Sequence, residues 1–147
     1  MLAVTVETVA IASDHAGFSM KEALKKELTD GGHTVLDLGT SNEETVDYPD
    51  FGKALAKAVT DGRASRGVAV CGSGVGISIA VNRVSGARGA LVHDRLGIEL
   101  ARQHNDANVM VLGGRTTGIE VAKDCLRTFL STKFEGGRHA RRVEKLG

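Results

Sequence analysis

Aromatic residues, excess charge and long apolar runs are all scarce in this sequence, and each scarcity excludes a class of function. Tryptophan is absent, and Tyr48 and four phenylalanines make up 3% of the 147 residues, which argues against a surface that stacks nucleic-acid bases. The formal net charge of +1 gives no overall attraction to nucleic acid or to a membrane surface. No apolar run approaches the length of a membrane-spanning helix. We therefore expect neither a nucleic-acid partner nor a membrane partner.

Cysteine and proline are rare as well. The two cysteines, Cys71 and Cys125, do not have the spacing of a metal-ligand motif. The chain does not open with a basic segment followed by a long apolar core, as a secretion signal does, so we expect a cytoplasmic protein with free thiols. One proline beside nineteen glycines is typical of an α/β protein with many tight turns. The length predicts a single domain, residues 1–147, with its own core.

Apolar runs of strand type alternate with segments of helical spacing along the chain. This alternation predicts a parallel sheet with helices on both faces, and the common order of five such strands is 2-1-3-4-5. In that order the tips of the first and third strands meet, so we expect Asp14-His15 and residues 71–76 to share one crevice. The strands are predicted over residues 9–13 (with a start as early as residues 1–6), 34–38, 68–71, 87–92 and 108–112. The helices are predicted to end near Gly31, Thr60, Val84, residues 103–105 and Leu130, and a short last helix is predicted over residues 137–145.

Cys71 stands at the end of the third strand, directly before a turn that contains Gly72, Gly74 and Gly76. Backbone amides of such a turn, followed by a helix N-terminus, suit an anion and favour a thiolate at the neighbouring cysteine. The ordinary alternative is a small buried side chain, which is what most free cysteines are. A dinucleotide-binding loop is disfavoured, because the glycines follow G-x-G-x-G and not G-x-G-x-x-G.

Histidines and arginines supply the other candidate site residues. His15 and His104 lie at predicted element ends in polar surroundings, whereas His33 opens a strand and is predicted to have no chemical role. Arg138 and Arg142 are four residues apart, so on a helix they can bind one phosphate together. The ordinary alternative for this basic tail is a solvated helix face, and Arg141 would point elsewhere.

Several motifs resemble one known family, the type B ribose-5-phosphate isomerases and their relatives, the galactose-6-phosphate isomerase subunits. The resemblance covers essentially the whole chain beyond a few N-terminal residues. The motifs that carry it occupy residues 13–17, 47–49, 71–78, 102–106, 113–115 and 134–139.

The resemblance implies a Rossmann-like three-layer α/β/α sandwich with a C-terminal helix, and no metal or organic cofactor. It also implies a homodimer, in some members paired into a tetramer, whose active sites are built from both subunits and bind a small phosphosugar. Some members have glycine at the position of Cys71 and a glutamate near Ile77, so this chain resembles the cysteine subtype.

The resemblance also implies roles for individual residues. Cys71 is the base that moves a proton between C2 and C1, and Ser73 lies beside the enediolate. His104, assisted by Asp14, opens the sugar ring. The implied substrate-binding residues are the phosphate-binding His15, Arg115, Arg138 and Arg142 and the site-lining Tyr48 and Asn105. The negative charge that develops on the enediol oxygens adds a further prediction from the residues themselves, since backbone amides can stabilise it; these are the amides of Gly72, Gly74, Val75 and Gly76.

These roles predict reversible aldose–ketose isomerisation of ribose 5-phosphate and ribulose 5-phosphate. Two alternatives remain open from the sequence. One is an isomerase of a six-carbon phosphosugar such as allose 6-phosphate or galactose 6-phosphate, and the other is a non-catalytic module that binds a phosphosugar or a nucleotide.

Overall fold

The computed structural model describes residues 5–147, which form one parallel sheet between two layers of helices. The central strands are apolar over nearly their whole length, and successive side chains point to opposite faces of the sheet. Each of these strands therefore contributes to a core on both faces. One core contains Val68 and Val70 of the third strand, and the other contains Ala69 and Cys71. The predicted three-layer α/β/α architecture is therefore confirmed.

The elements alternate along the chain as the hydrophobic pattern predicts. The strands are β1 (Thr8–Ser13), β2 (Thr34–Asp37), β3 (Arg66–Cys71), β4 (Gly89–Leu91) and β5 (Val109–Gly113). The helices are α1 (Phe18–Asp30), α2 (Tyr48–Thr60), α3 (Val75–Val81), α4 (Arg95–Asn105), α5 (Ile119–Ser131) and α6 (Arg138–Leu146). Helices α1, α4 and α5 cover one face of the sheet, and α2 and α3 cover the other.

The observed strand order is β2-β1-β3-β5-β4, so the predicted order 2-1-3-4-5 is wrong in its last two strands. All five residues of β5 are buried, whereas the three residues of β4 are only partly buried. A strand buried over its whole length is best placed with a neighbour on each side, and a short, partly exposed strand is suited to the edge. β5 therefore pairs with both β3 and β4.

Two elements are also shorter than predicted. Helix α3 ends at Val81 and not near Val84, and β4 is half as long as the predicted strand over residues 87–92. The side chain of Asn82, the residue after α3, binds the first residue of β4. It accepts a hydrogen bond from the Gly89 amide (2.8 Å) and donates one to the Gly89 carbonyl (3.0 Å). The earlier start of the first strand is not observed at residues 5–7, and residues 1–4 lie outside the described part.

None of the helices in residues 5–147 is long and apolar enough to cross a membrane.

Candidate active site

An open cavity of about 620 Å³ lies at the carboxyl ends of β1, β3 and β5, the edge where open α/β sheets bind ligands. The expected crevice between the tips of β1 and β3 is therefore confirmed. The cavity is lined by Asp14, His15, Ala16, Tyr48, Cys71, Gly72, Ser73, Val75, Gly76, Ile79, Arg115 and Thr116.

Cys71 closes the floor of this cavity at the last position of β3, with 4% of its surface exposed. Gly74 turns the chain from the strand into α3 with a φ of 78°, a left-handed conformation that favours glycine. Ser73 is held between them, because its Oγ accepts a hydrogen bond from the Val75 amide (3.2 Å). Cys71, Ser73 and the glycine turn thus line the same space.

The loop after β5 is fastened to this glycine turn. The Gly114 amide donates to the Cys71 carbonyl (2.8 Å), and the Arg115 amide donates to the Gly72 carbonyl (2.9 Å). These bonds exist because β5 is the neighbour of β3, and they place the Arg115 guanidinium in the cavity. His93 and Asp94 follow the edge strand β4 instead, and the Asp94 carboxylate caps α4 by accepting from the Gly97 amide (2.8 Å).

Asp14 and His15 enter the cavity from the tip of β1. The Asp14 side chain is buried, and its Oδ1 accepts a hydrogen bond from the Gly17 amide (3.0 Å). The His15 Nδ1 accepts from the Val46 amide (3.2 Å). Since that nitrogen is the acceptor, the neutral imidazole carries its proton on Nε2 and offers a donor to an anion.

Tyr48 forms one wall of the cavity from the first turn of α2. Its ring lies directly over Gly76, where a Cβ atom would come within 2.5 Å of Tyr48 Cε1. The absence of a side chain at Gly76 therefore allows the phenol to lie against the glycine turn.

The remaining predicted site residues lie at the opposite end of the strands, where the strands begin. Helix α4 returns from the tip of β4, so His104 and Asn105 at its end lie near the start of the strands, where Arg88 Nε donates to the Asp106 carbonyl (2.9 Å). Arg138 and Arg142 are exposed on α6, which packs against α4. The five residues of β5 separate the two ends by about 15 Å. Within one chain, the structure therefore does not bring His104, Asn105, Arg138 and Arg142 to the Cys71 cavity.

His104 has two close neighbours that the sequence analysis did not assign to the site. Its imidazole stacks on His139, with ring centroids 4.4 Å apart and planes inclined by 15°. Glu135 Oε1 lies 3.8 Å from His104 Nε2 and 3.6 Å from His139 Nε2. Burial of the His139 ring, together with the positive charges of His104 and Arg138, lowers the pKa of His139 below 6.5. The four-residue spacing of Glu135 and His139 was the available sequence signal.

A second cavity, of about 370 Å³, lies between α1 and α5 and contains Glu27, Arg127 and His33. Arg127 Nη2 already pairs with Glu27 Oε1 (2.8 Å), and the His33 Nδ1 accepts from the Glu7 amide (3.2 Å). These polar groups already have partners within the protein, so the candidate active site is the cavity beside Cys71.

Comparisons with known proteins show the family to which the chain is related. Residues 9–146 match the family model described as Ribose/Galactose Isomerase. The chain is 40% identical over 141 residues to ribose-5-phosphate isomerase B of Escherichia coli, which covers 96% of this chain and 95% of that protein. It is 39% identical over 141 residues to D-erythrulose-4-phosphate isomerase of Pectobacterium atrosepticum, which covers 95% of this chain and 93% of that protein. The solved structure of Clostridium thermocellum ribose-5-phosphate isomerase B is similar with a TM-score of 0.94 at 45% identity, over 95% of each chain.

Proposed function

Because the chain belongs to the ribose/galactose isomerase family, we propose that it catalyses the reversible isomerisation of ribose 5-phosphate to ribulose 5-phosphate. The observation that carries this proposal is the shared cavity of Cys71, Ser73 and Asp14 at the glycine turn. Moving a proton between adjacent sugar carbons needs a base beside a group that stabilises the enediolate oxygens, and this cavity offers both.

The reaction begins with opening of the furanose ring. His104, with Asp14, transfers the proton of the C1 hydroxyl toward the ring oxygen, so that the C1–O ring bond breaks and an aldehyde forms at C1. The ring oxygen becomes the C4 hydroxyl, and no atom leaves the sugar.

Proton transfer at carbon follows. The Cys71 thiolate removes the proton from C2, and the C2–H electrons form the C1–C2 double bond of an enediolate. The thiol then returns the proton to C1, while the hydroxyl proton of O2 passes to O1, which leaves a carbonyl at C2. Ser73 and the amides of the glycine turn stabilise the negative oxygens, an effect for which one lost donor costs about 3 kcal/mol.

The phosphate is bound by His15 Nε2, Arg115, Arg138 and Arg142, so the glycine turn is left for the enediolate. Binding the phosphate far from the reacting carbons holds the open-chain sugar in register and contributes remote binding energy to the chemical step.

The residues of the Cys71 cavity and those of α4 and α6 lie too far apart in one chain to act on the same sugar. A homodimer with shared active sites brings the two groups together. His104, Arg138 and Arg142 of one subunit complete the Cys71 cavity of the other, which gives two equivalent sites per dimer. Large apolar side chains are exposed on the helices beside both groups, including Val75 (50%) and Ile79 (52%) on α3 and Leu96 (62%) and Leu100 (40%) on α4. Burial of these apolar side chains in a dimer interface removes them from water, which favours association of two subunits. The enzyme works in the cytoplasm as a single-domain subunit.

The test is a ketose-formation assay with ribose 5-phosphate and with six-carbon and four-carbon phosphosugars. The wild type is expected to convert ribose 5-phosphate fastest, and Cys71→Ala to lose about 10²–10⁴-fold in kcat while still binding substrate. Cys125→Ala is the matched control, because it removes the thiol outside the cavity. Substrate binding without ketose formation by the wild type would contradict the enzymatic function, and faster conversion of allose 6-phosphate or galactose 6-phosphate would contradict the five-carbon substrate.

A further inference from the structure

Three metal-ligating side chains converge where α4 meets α6. His104 Nε2 and His139 Nε2 lie 3.8 Å and 3.6 Å from the same oxygen, Glu135 Oε1. One ligand atom from each of the three residues lies within 4.8 Å of the other two. The two imidazoles are stacked, so their rings must turn for both nitrogens to point at one ion beside Glu135 Oε1.

The backbone holds this cluster in place. The Glu135 amide donates to the Gln103 carbonyl (3.0 Å), which fixes the glutamate beside the residue that precedes His104. The chain then turns through Gly136 and Gly137, both at positive φ, and the His139 amide donates to the Gly136 carbonyl (3.0 Å). Only 10% of the His139 side chain is exposed, so its imidazole is held against His104 by packing.

The donor set selects a class of ion. Imidazole nitrogens suit Zn²⁺, Co²⁺ and Ni²⁺, whereas Mg²⁺ and Ca²⁺ prefer sites made of oxygen atoms. Ligand atoms at about 2.1 Å from a tetrahedral Zn²⁺ lie about 3.4 Å apart, so the cluster, whose ligand atoms lie within 4.8 Å of one another, needs to contract by up to about 1.4 Å at its widest separation. Two histidines and one glutamate also leave a fourth position open.

The charges around the cluster act in both directions. Arg138 and Arg142 on α6 repel a cation and so reduce its affinity. The carboxylate of Glu135 attracts the cation and is the single anionic ligand of the cluster.

We propose that His104, Glu135 and His139 bind one divalent transition-metal ion of the Zn²⁺ class, and that this ion inhibits the enzyme by occupying His104 Nε2. A metal on that nitrogen removes the lone pair that ring opening needs. The inhibition rests on the proposed function of His104, whereas the binding of the metal does not.

Metal binding is tested first, without reference to activity. Untagged full-length protein is titrated with Zn²⁺ by calorimetry and with Co²⁺ by visible absorption. We expect one ion per chain and a Co²⁺ spectrum with nitrogen and oxygen ligands. His139→Gln and Glu135→Gln are expected to weaken binding at least 10-fold, while His93→Gln, at an exposed histidine outside the cluster, is expected to bind as the wild type does.

Cys71→Ser distinguishes this cluster from the reactive thiol, and it is expected to retain Zn²⁺ binding. A thiolate charge-transfer band with Co²⁺ in the wild type, or loss of binding in Cys71→Ser, would overturn the proposal. So would wild-type affinity in both His139→Gln and Glu135→Gln. The wild-type Co²⁺ spectrum decides the ligand type even if a variant fails to fold.

Inhibition is tested next, by the same ketose-formation assay. Zn²⁺ is expected to inhibit the wild type reversibly, with activity restored by a chelator, and His139→Gln is expected to need at least 10-fold more Zn²⁺ for half-inhibition. Saturation of the cluster without inhibition would overturn the inhibitory role. Metal binding in a protein that does not isomerise ribose 5-phosphate would contradict only the proposed function.

Discussion

At the scale of single residues, the two cysteines show how position determines chemistry. Cys125 is fully buried on α5, and burial, with the nearby carboxylates of Asp124 and Asp94, raises its pKa to about 11. It is therefore a neutral thiol in the core at physiological pH. Cys71 instead ends a strand at the edge of a cavity, beside the glycine turn. Of the two thiols, only Cys71 is placed to exchange a proton with a ligand.

The arginines of α6 give a prediction at the same scale. Arg142→Ala is expected to raise KM for ribose 5-phosphate about 10- to 100-fold with little change in kcat, because it removes one proposed charge-assisted contact while the three other phosphate-binding groups still hold the open-chain sugar in register. Steady-state kinetics measure both constants. Arg141→Ala is the matched control, because it removes the same charge from the same exposed helix. Equal increases in KM for both variants would indicate a general charge effect and contradict a specific phosphate contact.

At the scale of elements, a buried ion pair joins α1 to the end of β2, and further hydrogen bonds lead from it to the tip of β1. Lys21 is fully buried, and its Nζ donates to both oxygens of Asp37 (3.0 and 2.8 Å). The Asp37 Oδ1 also accepts from the Gly39 amide (3.0 Å), and the Gly39 carbonyl accepts from the Ser13 amide (2.8 Å). This chain of contacts ends at the residue before Asp14, so it supports the tip of β1.

The ion pair predicts a pH-dependent stability. Burial of Asp37 raises its pKa, but hydrogen bonds from Lys21, Gly39 and Lys25 outweigh burial and lower its pKa below 3.8. A carboxyl whose pKa is lower in the folded state stabilises the protein above its ordinary pKa, and that contribution is lost as the pH falls through the folded pKa.

Asp37→Asn is therefore expected to lower the free energy of unfolding at pH 7 by about 2 kcal/mol, because the buried Lys21 loses the carboxylate that it contacts through both oxygens and keeps only Glu22, at 3.0 Å. Urea unfolding from pH 7 down to pH 3 should show this difference shrinking below pH 4. Asp30→Asn, at an exposed carboxylate paired with Lys26, is the control and should cost less than about 1 kcal/mol. A difference between wild type and Asp37→Asn that stays constant over the pH range would contradict the assigned role of the charge.

Gly17 gives a second prediction for the element that carries Asp14. A Cβ atom there would lie 2.5 Å from the Val70 carbonyl oxygen of β3, so the loop after β1 would have to move away from the sheet. Gly17→Ala is expected to lower the free energy of unfolding by about 1–3 kcal/mol and to reduce kcat, since Gly17 also holds the Asp14 carboxylate. Chemical denaturation and the ketose assay measure the two effects. Gly118→Ala, where a Cβ would meet no atom within 4 Å, should change neither, and an equal effect of both substitutions would contradict the close-packing argument.

Sequence reasoning predicted that Asp14 lies beside the glycine turn, but it did not predict the position of Arg115. The adjacency of Asp14 to the glycine turn after Cys71 was predictable, because it follows from strand alternation and from the topological switch point of parallel sheets. The place of Arg115 beside Gly72 was not predicted from the topology, because the order of the last two strands was wrong. The continuous burial of β5 was the available signal for its central position.

The position of His104 was predictable in part. The pattern of α4 predicted that His104 lies at the end of a helix, and this is confirmed. A helix that connects two parallel strands ends near the amino ends of the strands, so the predicted topology already places His104 at the end of the sheet opposite Cys71. The stacking of His104 on His139 depends in turn on how α6 packs against α4.

At the scale of the whole molecule, the proposed site residues form two groups at opposite ends of the strands of one sheet. One group contains the thiol, the glycine turn and Asp14, and the other contains His104 and the arginines of α6. A single subunit cannot use both groups on one small sugar. A pair related by two-fold symmetry can, since each group then meets its complement twice.

Mixing two inactive variants tests this account most directly. Cys71→Ala and His104→Ala are each expected to lose nearly all isomerisation of ribose 5-phosphate. When the two are unfolded together and refolded as a mixture, half of the dimers are mixed, and each mixed dimer contains one intact site and one doubly altered site. The account predicts recovery of about a quarter of the wild-type activity at equal total protein. A mixture that stays as inactive as its two components, while still forming mixed dimers, would contradict it.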